Sequence, residues 1–185
     1  LCTYHPVTME EGDSEKMVTD FLHAISEFPE LEFILTKSNA DQGGSHMNEL
    51  FDAANGRIKN FHVFSSLGVV RYLSLMKYAE FVLGNSSSGI IEAPSFGIPT
   101  IDIGDRQRGR YQSESILHCL PDTDSIINAI KKAEDPAFRS ACKKVCSPYG
   151  DGHAAEKIAD KIREVVMEGT IDLKKTFYDY VGMEK

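Results

Sequence analysis

The stretch "VLGNSSSGIIEAPSFGIPT" (82–100) sets an asparagine and three serines, Ser86, Ser87 and Ser88, between a short apolar run and a segment that Gly89 opens. Hydroxyls there add hydrogen-bond donors without bulk, and the first turn of a helix starting at this point adds backbone N–H groups that have no partner inside the helix. With the positive end of the peptide dipoles, Ser86, Ser87, Ser88 and Gly89 form a candidate phosphate cradle, and Asn85 is expected exposed beside them. Neither Gly-Lys-Ser nor Gly-Lys-Thr follows, so this is not a P-loop. An ordinary capped turn between a strand and a helix is the other reading of the same residues.

Three neighbours favour the ligand. Glu92 lies one helical turn after Ser88 on the same face. A carboxylate beside a phosphate is out of place unless it accepts the two hydroxyl hydrogens of a ribose, as acidic residues do in dinucleotide sites; a glutamate held by the helix dipole is the alternative. "GDRQRGR" (104–110) carries Arg106, Arg108 and Arg110. A guanidinium fork matches phosphate oxygens, so at least one should turn inward, the others being solvated or paired with Asp102 or Asp105. His5, in "TYHPVT", follows the first apolar run with Pro6 stiffening the turn, and is either structural or a group at the reacting centre. The remaining histidines show no ligand spacing. Cys2, Cys119, Cys142 and Cys146 form no paired C-x-x-C set, so no metal site is expected and the thiols should be free, buried or half-buried.

The elements that must position these groups alternate. Strands are expected over Leu1–Tyr4, Glu32–Thr36, Ile58–Val63, Phe81–Leu83 and Thr100–Ile103. Helices are expected over Ser14–Phe28 with Ser14 as cap, Ser45–Ala54, Val69–Ala79 and Gly89–Phe96. Repeated βα units return by right-handed crossovers, which predicts an α/β, Rossmann-like parallel sheet with helices on both faces. His5, the serines and the arginines then all emerge at the carboxyl ends of strands, where such sheets bind ligands. After Arg110 the pattern reads as mostly helical: Thr123–Ala133 from an Asp122/Thr123 start, Pro136–Val145, Ala154–Val166 and a last helix within 170–185 carrying Phe177, Tyr178 and Tyr180.

At 185 residues and 42 % hydrophobic content the chain suits a single α/β domain. A net charge of −8 and the lack of a Lys/Arg-dense face argue against nucleic acid. No apolar run nears the roughly 20 residues that span a bilayer, so no membrane contact is expected and the sequence reads as soluble and cytoplasmic. Because it begins directly with the strand-like "LCTYHP", the chain is expected to be the second part of a longer one.

"YHPVT", "RYLSLMKYAEFVLGNSSSGIIEAPSFGIPTIDIGDRQRGR" and "SPYGDG" resemble the C-terminal half of the UDP-N-acetylglucosamine 2-epimerases, most closely the hydrolysing bacterial type of sialic-acid and nonulosonate synthesis. The resemblance spans essentially the whole chain. It implies a GT-B architecture in which this chain is the UDP-binding C-terminal domain; the aromatic residues of the 170–185 helix are expected either to pack on this domain itself or to cross to an N-terminal partner domain. It further implies that Ser86 and Ser87 bind the diphosphate with Ser88 and Gly89 closing the cradle, that Glu92 holds the ribose hydroxyls, that Arg106 contacts the phosphate or uridine, and that His5 reaches the reacting sugar. The stretch around Phe64 would shape the uracil pocket. The implied reaction uses a UDP-sugar as substrate with no cofactor, eliminates UDP after proton abstraction at sugar C2, and hydrates the glycal-like intermediate to the 2-epimeric free sugar. The base would lie outside this chain, which alone should be inactive. A second copy of the chain is a further candidate partner. A non-hydrolysing epimerase, a GT-B glycosyltransferase and a non-catalytic nucleotide-sugar sensor stay open as alternatives.

Overall fold

A computed structural model describes residues 1–7, 13–38, 44–169 and 174. Six strands, β1 (Cys2–Thr3), β2 (Phe33–Thr36), β3 (Phe61–Phe64), β4 (Val82–Gly84), β5 (Thr100–Ile103) and β6 (Ile116–Cys119), form one sheet in the order β3-β2-β1-β4-β5-β6. Every pairing is parallel. This is the doubly wound order of Rossmann-like sheets, with its reversal between β1 and β4.

Parallel strands buried on both faces need apolar side chains in both directions. In β4, Leu83 enters the larger core and Val82 the smaller. The larger core lies under α1 (Asp13–Ser26), α2 (Gly44–Ala54) and α5 (Thr123–Glu134), which contribute Phe21, Phe51 and Ile130 among others. Phe21 meets Phe51 and Phe61 edge-on at 5.8 and 6.4 Å and stacks on Tyr4 at 5.5 Å, each such pair adding about 0.5–1.5 kcal/mol beyond its buried area. The smaller core lies under α3 (Gly68–Tyr78), which contributes Met76, and under a 3₁₀ turn over Ala93–Phe96 that follows the short α4 (Ser87–Ile91).

Several boundaries differ from expectation. The apolar segment expected as one helix over Gly89–Phe96 splits at Glu92, because Pro94 cannot donate to an α-helical ladder and instead fits the first turn of the 3₁₀ piece. The third strand begins at Phe61 rather than Ile58, since residues 55–60 turn around Gly56, and Ser14 lies within α1 rather than capping it. The region after Arg110 is not simply helical: β6 escaped detection because it is a half-buried edge strand with no clean alternation. Asp122 does cap α5, accepting from Ser125 N–H at 2.9 Å, and Asp135 caps α6 (Pro136–Cys142). The chain divides into two compact units, Leu1–Tyr149 and Gly150–Lys185. The second contains α7 (Ala154–Glu168), which closes at Gly169 in the left-handed region; the expected last helix lies outside the described residues. Among the described residues no helix is long and apolar enough to cross a membrane.

One glycine is dictated by the sheet. Gly84 has φ +140°, and a Cβ there would lie 2.0 Å from the Thr3 carbonyl oxygen in the neighbouring strand, a backbone atom that cannot swing aside. Gly84→Ala is expected to cost about 3 kcal/mol or more, roughly 10 °C in Tm for a chain of this size. Gly104→Ala, also at positive φ but with nothing within 4 Å of its Cβ, should cost only about 1–2 kcal/mol. Thermal unfolding of both variants checks the difference; equal melting shifts would contradict it.

Candidate functional site

The two strands at the sheet's reversal send their chains in opposite directions, and the loops that leave them flank a crevice. His5 follows β1, the serine turn follows β4, and the loop with Arg106 follows β5. In the serine turn Ser86 is the N-cap of α4, with φ −78° and ψ 144°, and its Oγ accepts from Ser88 N–H at 3.4 Å. The Ser88 hydroxyl donates to Glu92 Oε2, so it positions that carboxylate. Neither Ser86 nor Ser87 donates its hydroxyl to another described residue. Because α4 has only five residues, attraction for an anion rests on the local N–H and O–H groups rather than on a long summed dipole. Gly89 has a packing reason of its own: a Cβ would sit 2.7 Å from Thr100 Cγ2, and the Gly89 carbonyl accepts from Thr100 Oγ1 at 2.7 Å.

Asn85 is not exposed as expected; it is fully buried at 0 %. Its Oδ1 accepts from His5 N–H at 2.7 Å and its Nδ2 donates to His5 C=O at 2.9 Å. Its own carbonyl accepts from Arg106 Nη1 at 3.1 Å and from Gln107 Nε2 at 2.7 Å. Sequence reasoning missed this residue, although a buried strand end running into an amide is a usable signal. Of the three arginines, Arg106 turns toward the serine turn, and no ion pair joins Arg106, Arg108 or Arg110 to a carboxylate among the described residues. Asp102 pairs with no arginine either.

Beside the serine turn a pocket of about 340 Å³ opens, with Glu92 in its wall together with Thr36, Ser65, Ser66, Val69 and Tyr72. Tyr72 Oη is buried with no hydrogen-bond partner among the described residues, so it is available to a polar ligand atom. The stretch around Phe64 was expected to shape a uracil pocket; Ser65, Ser66, Leu67 and Gly68 line this one, while Phe64 is not in its wall. Tyr72 was not anticipated, its α3 position reading as ordinary core.

Asp102, on β5, is 1 % exposed and neither carboxylate oxygen has a well-formed hydrogen bond; its counter-charge is His118, whose Nδ1 lies 3.1 Å from Oδ2. Burial raises the Asp102 pKa and His118 only partly offsets this. The four cysteines are free, as expected, with Cys2 and Cys142 buried and Cys119 half-buried; Cys146, however, is exposed. Burial pushes the Cys119 thiol up to about 12, which leaves it a poor nucleophile.

A family model described as UDP-N-acetylglucosamine 2-epimerase matches residues 1–163. The "GDP/UDP-N,N'-diacetylbacillosamine 2-epimerase (hydrolyzing)" of Campylobacter jejuni is 40 % identical over 75 % of this chain and 36 % of its own length. The UDP-N-acetylglucosamine 2-epimerase of Neisseria meningitidis is 36 % identical over 72 % of this chain and 34 % of its own. In fold, the chain resembles the S. aureus MnaA–UDP co-structure, with a TM-score of 0.69, 20 % identity, and coverage of 96 % of this chain and 48 % of that one. The chain thus spans less than half the length of each of these relatives.

The Asp102 environment has a testable consequence. Its folded-state pKa is raised, so the folded state holds the proton more tightly than the unfolded state and stability falls as pH rises through that pKa. Asp102→Asn carries no charge to bury, and its Tm is expected to exceed the wild type's by a few degrees at pH 8, with the gap closing as the pH falls to about 4, near the ordinary aspartate value. Melting curves across that range decide it; a gap independent of pH would show that the carboxylate's charge is not what the fold resists.

Proposed function

The chain belongs to the UDP-N-acetylglucosamine 2-epimerase family, and on that premise we propose that it is the UDP-binding half of a hydrolysing UDP-N-acetylhexosamine 2-epimerase, the C-terminal domain of a GT-B pair. The observation that carries this reading is that the serine turn, the Arg106 guanidinium and the backbone of His5 meet at the sheet's reversal, while Glu92, bonded to Ser88, lines the neighbouring pocket. A nucleoside diphosphate sugar has that sequence of parts: base, ribose, pyrophosphate and sugar. The base enters the pocket beside Tyr72, Ser65 and Ser66. Glu92, steadied by Ser88, accepts from the ribose hydroxyls. Ser86, Ser87 and the Ser87 N–H take the phosphate oxygens with Arg106, and His5 stands at the sugar end.

The proposed reaction runs in two steps. A base removes the proton from C2 of the sugar, the C–H pair becomes a C1=C2 double bond, and the C1–O bond breaks with its electrons leaving on UDP. Water then adds across the double bond, its oxygen to C1 and a proton to the opposite face of C2, giving the 2-epimeric free sugar, a ManNAc-type product where UDP-GlcNAc is the substrate. The C2 proton is weakly acidic, so most of the barrier depends on a well-placed base and on stabilising the charge that builds on the departing pyrophosphate. Residues of this chain serve the second need. The base is proposed to come from the partner domain, in keeping with the share of the relatives' length that this chain spans. The similarity to a relative named as a hydrolysing 2-epimerase favours this branch over the non-hydrolysing epimerases and glycosyltransferases.

The 185-residue chain alone is expected to bind UDP weakly and to release no free sugar from UDP-GlcNAc. Glu92→Ala should weaken UDP about 10- to 100-fold, the loss of hydrogen bonds to a charged group, while inorganic phosphate binding changes little. Calorimetric titration of both ligands tests this; absence of UDP binding by the wild type, or an equal loss for phosphate, would refute the assignment. In the enzyme complete with its second half, free 2-epimeric sugar plus UDP is the expected product, whereas an epimerised UDP-sugar or a glycoside would overturn the hydrolysing reading.

A further inference from the structure

Asn85 is bonded to the first and third of the site's loops and is itself the first residue of the second. Its side-chain amide faces the two peptide groups of His5 as one donor and one acceptor, at 2.9 and 2.7 Å, closing a two-bond ring like a step of a parallel sheet. Only this orientation of the amide satisfies both, because the flipped one would set donor against donor and acceptor against acceptor. The backbone N–H of Asn85 donates to Thr3 C=O at 3.2 Å, and its carbonyl serves Arg106 and Gln107. Gln107 is 1 % exposed, so the arginine loop is fastened from inside the protein.

We infer that Asn85 is a positioning residue for the pyrophosphate-leaving step, setting His5 in register with the serine turn and with Arg106. This rests on the nucleotide-sugar reading above. An ordinary N-terminal flank of a helix needs no such residue, since Ser86 already caps α4. Among the described residues the Asn85 side chain hydrogen-bonds to His5 alone, and it is not in the wall of the pocket. Truncating it therefore removes both of these bonds to the His5 backbone while leaving the groups proposed to hold base, ribose and phosphate, and the backbone carbonyl that holds Arg106, in place. A displaced group at a reacting centre costs rate more than ground-state affinity, and about 1 Å of misplacement is enough for a 100-fold loss.

The test is Asn85→Ala, which introduces no charge beside a pyrophosphate. In the enzyme complete with its second half, kcat should fall about 10- to 100-fold with KM and the UDP Kd within about threefold of wild type, and in the 185-residue chain the His5 amide and imidazole NMR signals should move while the Gly89 amide does not. If Asn85→Ala fails to fold, Asn85→Ser carries the same expectation. A kcat equal to wild type, or a UDP Kd that weakens by the same factor as kcat, overturns the inference and leaves Asn85 a structural residue. UDP binding by the wild-type chain separates the two levels: where it is present, those outcomes bear on Asn85 alone; where it is absent, the nucleotide reading falls and this inference with it.

Discussion

The parallel pairing of β1 with β4 is the constraint from which the rest of the site follows. Leu83 N–H donates to Leu1 C=O at 2.9 Å and Asn85 N–H to Thr3 C=O at 3.2 Å, and between them Gly84 passes the Thr3 carbonyl at a distance that excludes a side chain. The seam is therefore closed at backbone level before any functional group is placed. Because β1 has β2 on its other side and β4 has β5, the chain leaves the two strands in opposite directions. A crevice at this point is a consequence of topology, and the Asn85 amide bridges it at its base by linking the two departing chains.

Charge has to be handled locally in such a crevice. The chain carries a net −8, which works against an anionic ligand at long range. At short range the balance reverses: Arg106 is tied to a backbone carbonyl rather than neutralised by a carboxylate, and the N–H groups of a tight turn add partial positive charges. Glu92, the one acidic side chain in the wall of the pocket, is engaged by the Ser88 hydroxyl. On the proposed reading the same carboxylate sorts nucleosides from bare phosphate, since an acceptor is useful only to a ligand that brings hydroxyl hydrogens.

Much of this arrangement was legible in the amino-acid order, and the parts that were not share a cause. Alternating apolar runs and helical periods were enough for five of the six described strands and for their parallel arrangement: the four inner strands are buried on both faces and so apolar, and the edge strand β3 still carries Phe61, Val63 and Phe64. β6 was hidden because an edge strand with half its surface wet lacks that signature. Ser88 and Glu92 were placed together by helical spacing alone, and Arg106 by the strand that precedes it. Asn85 and Tyr72 were missed for opposite reasons. A polar residue in a serine-rich turn reads as wet, and an aromatic at helical spacing reads as core, yet contacts with distant segments bury the first and turn the second into a pocket wall. Local pattern reports the backbone well; which side chain finds a partner 80 residues away it does not report.

The buried polar atoms without hydrogen-bond partners extend the same logic, the Asp102 carboxylate being met among the described residues only by its ion pair with His118. Tyr4 Oη, Tyr72 Oη, both oxygens of Asp102 and Gln107 Oε1 are in this condition among the described residues. Tyr4 follows β1, Asp102 stands near the end of β5, Gln107 lies in the loop beyond it, and Tyr72 lines the pocket, so all four residues lie by the carboxyl ends of the strands or in the wall that adjoins them. Leaving such an atom unsatisfied costs about 1–3 kcal/mol, more for a charge. A fold selected for stability alone would spread or remove these costs; here they concentrate where the sheet reverses. Stability is being spent along the edge where polar groups must stay oriented and available, while the opposite ends of the strands carry none of these atoms among the described residues.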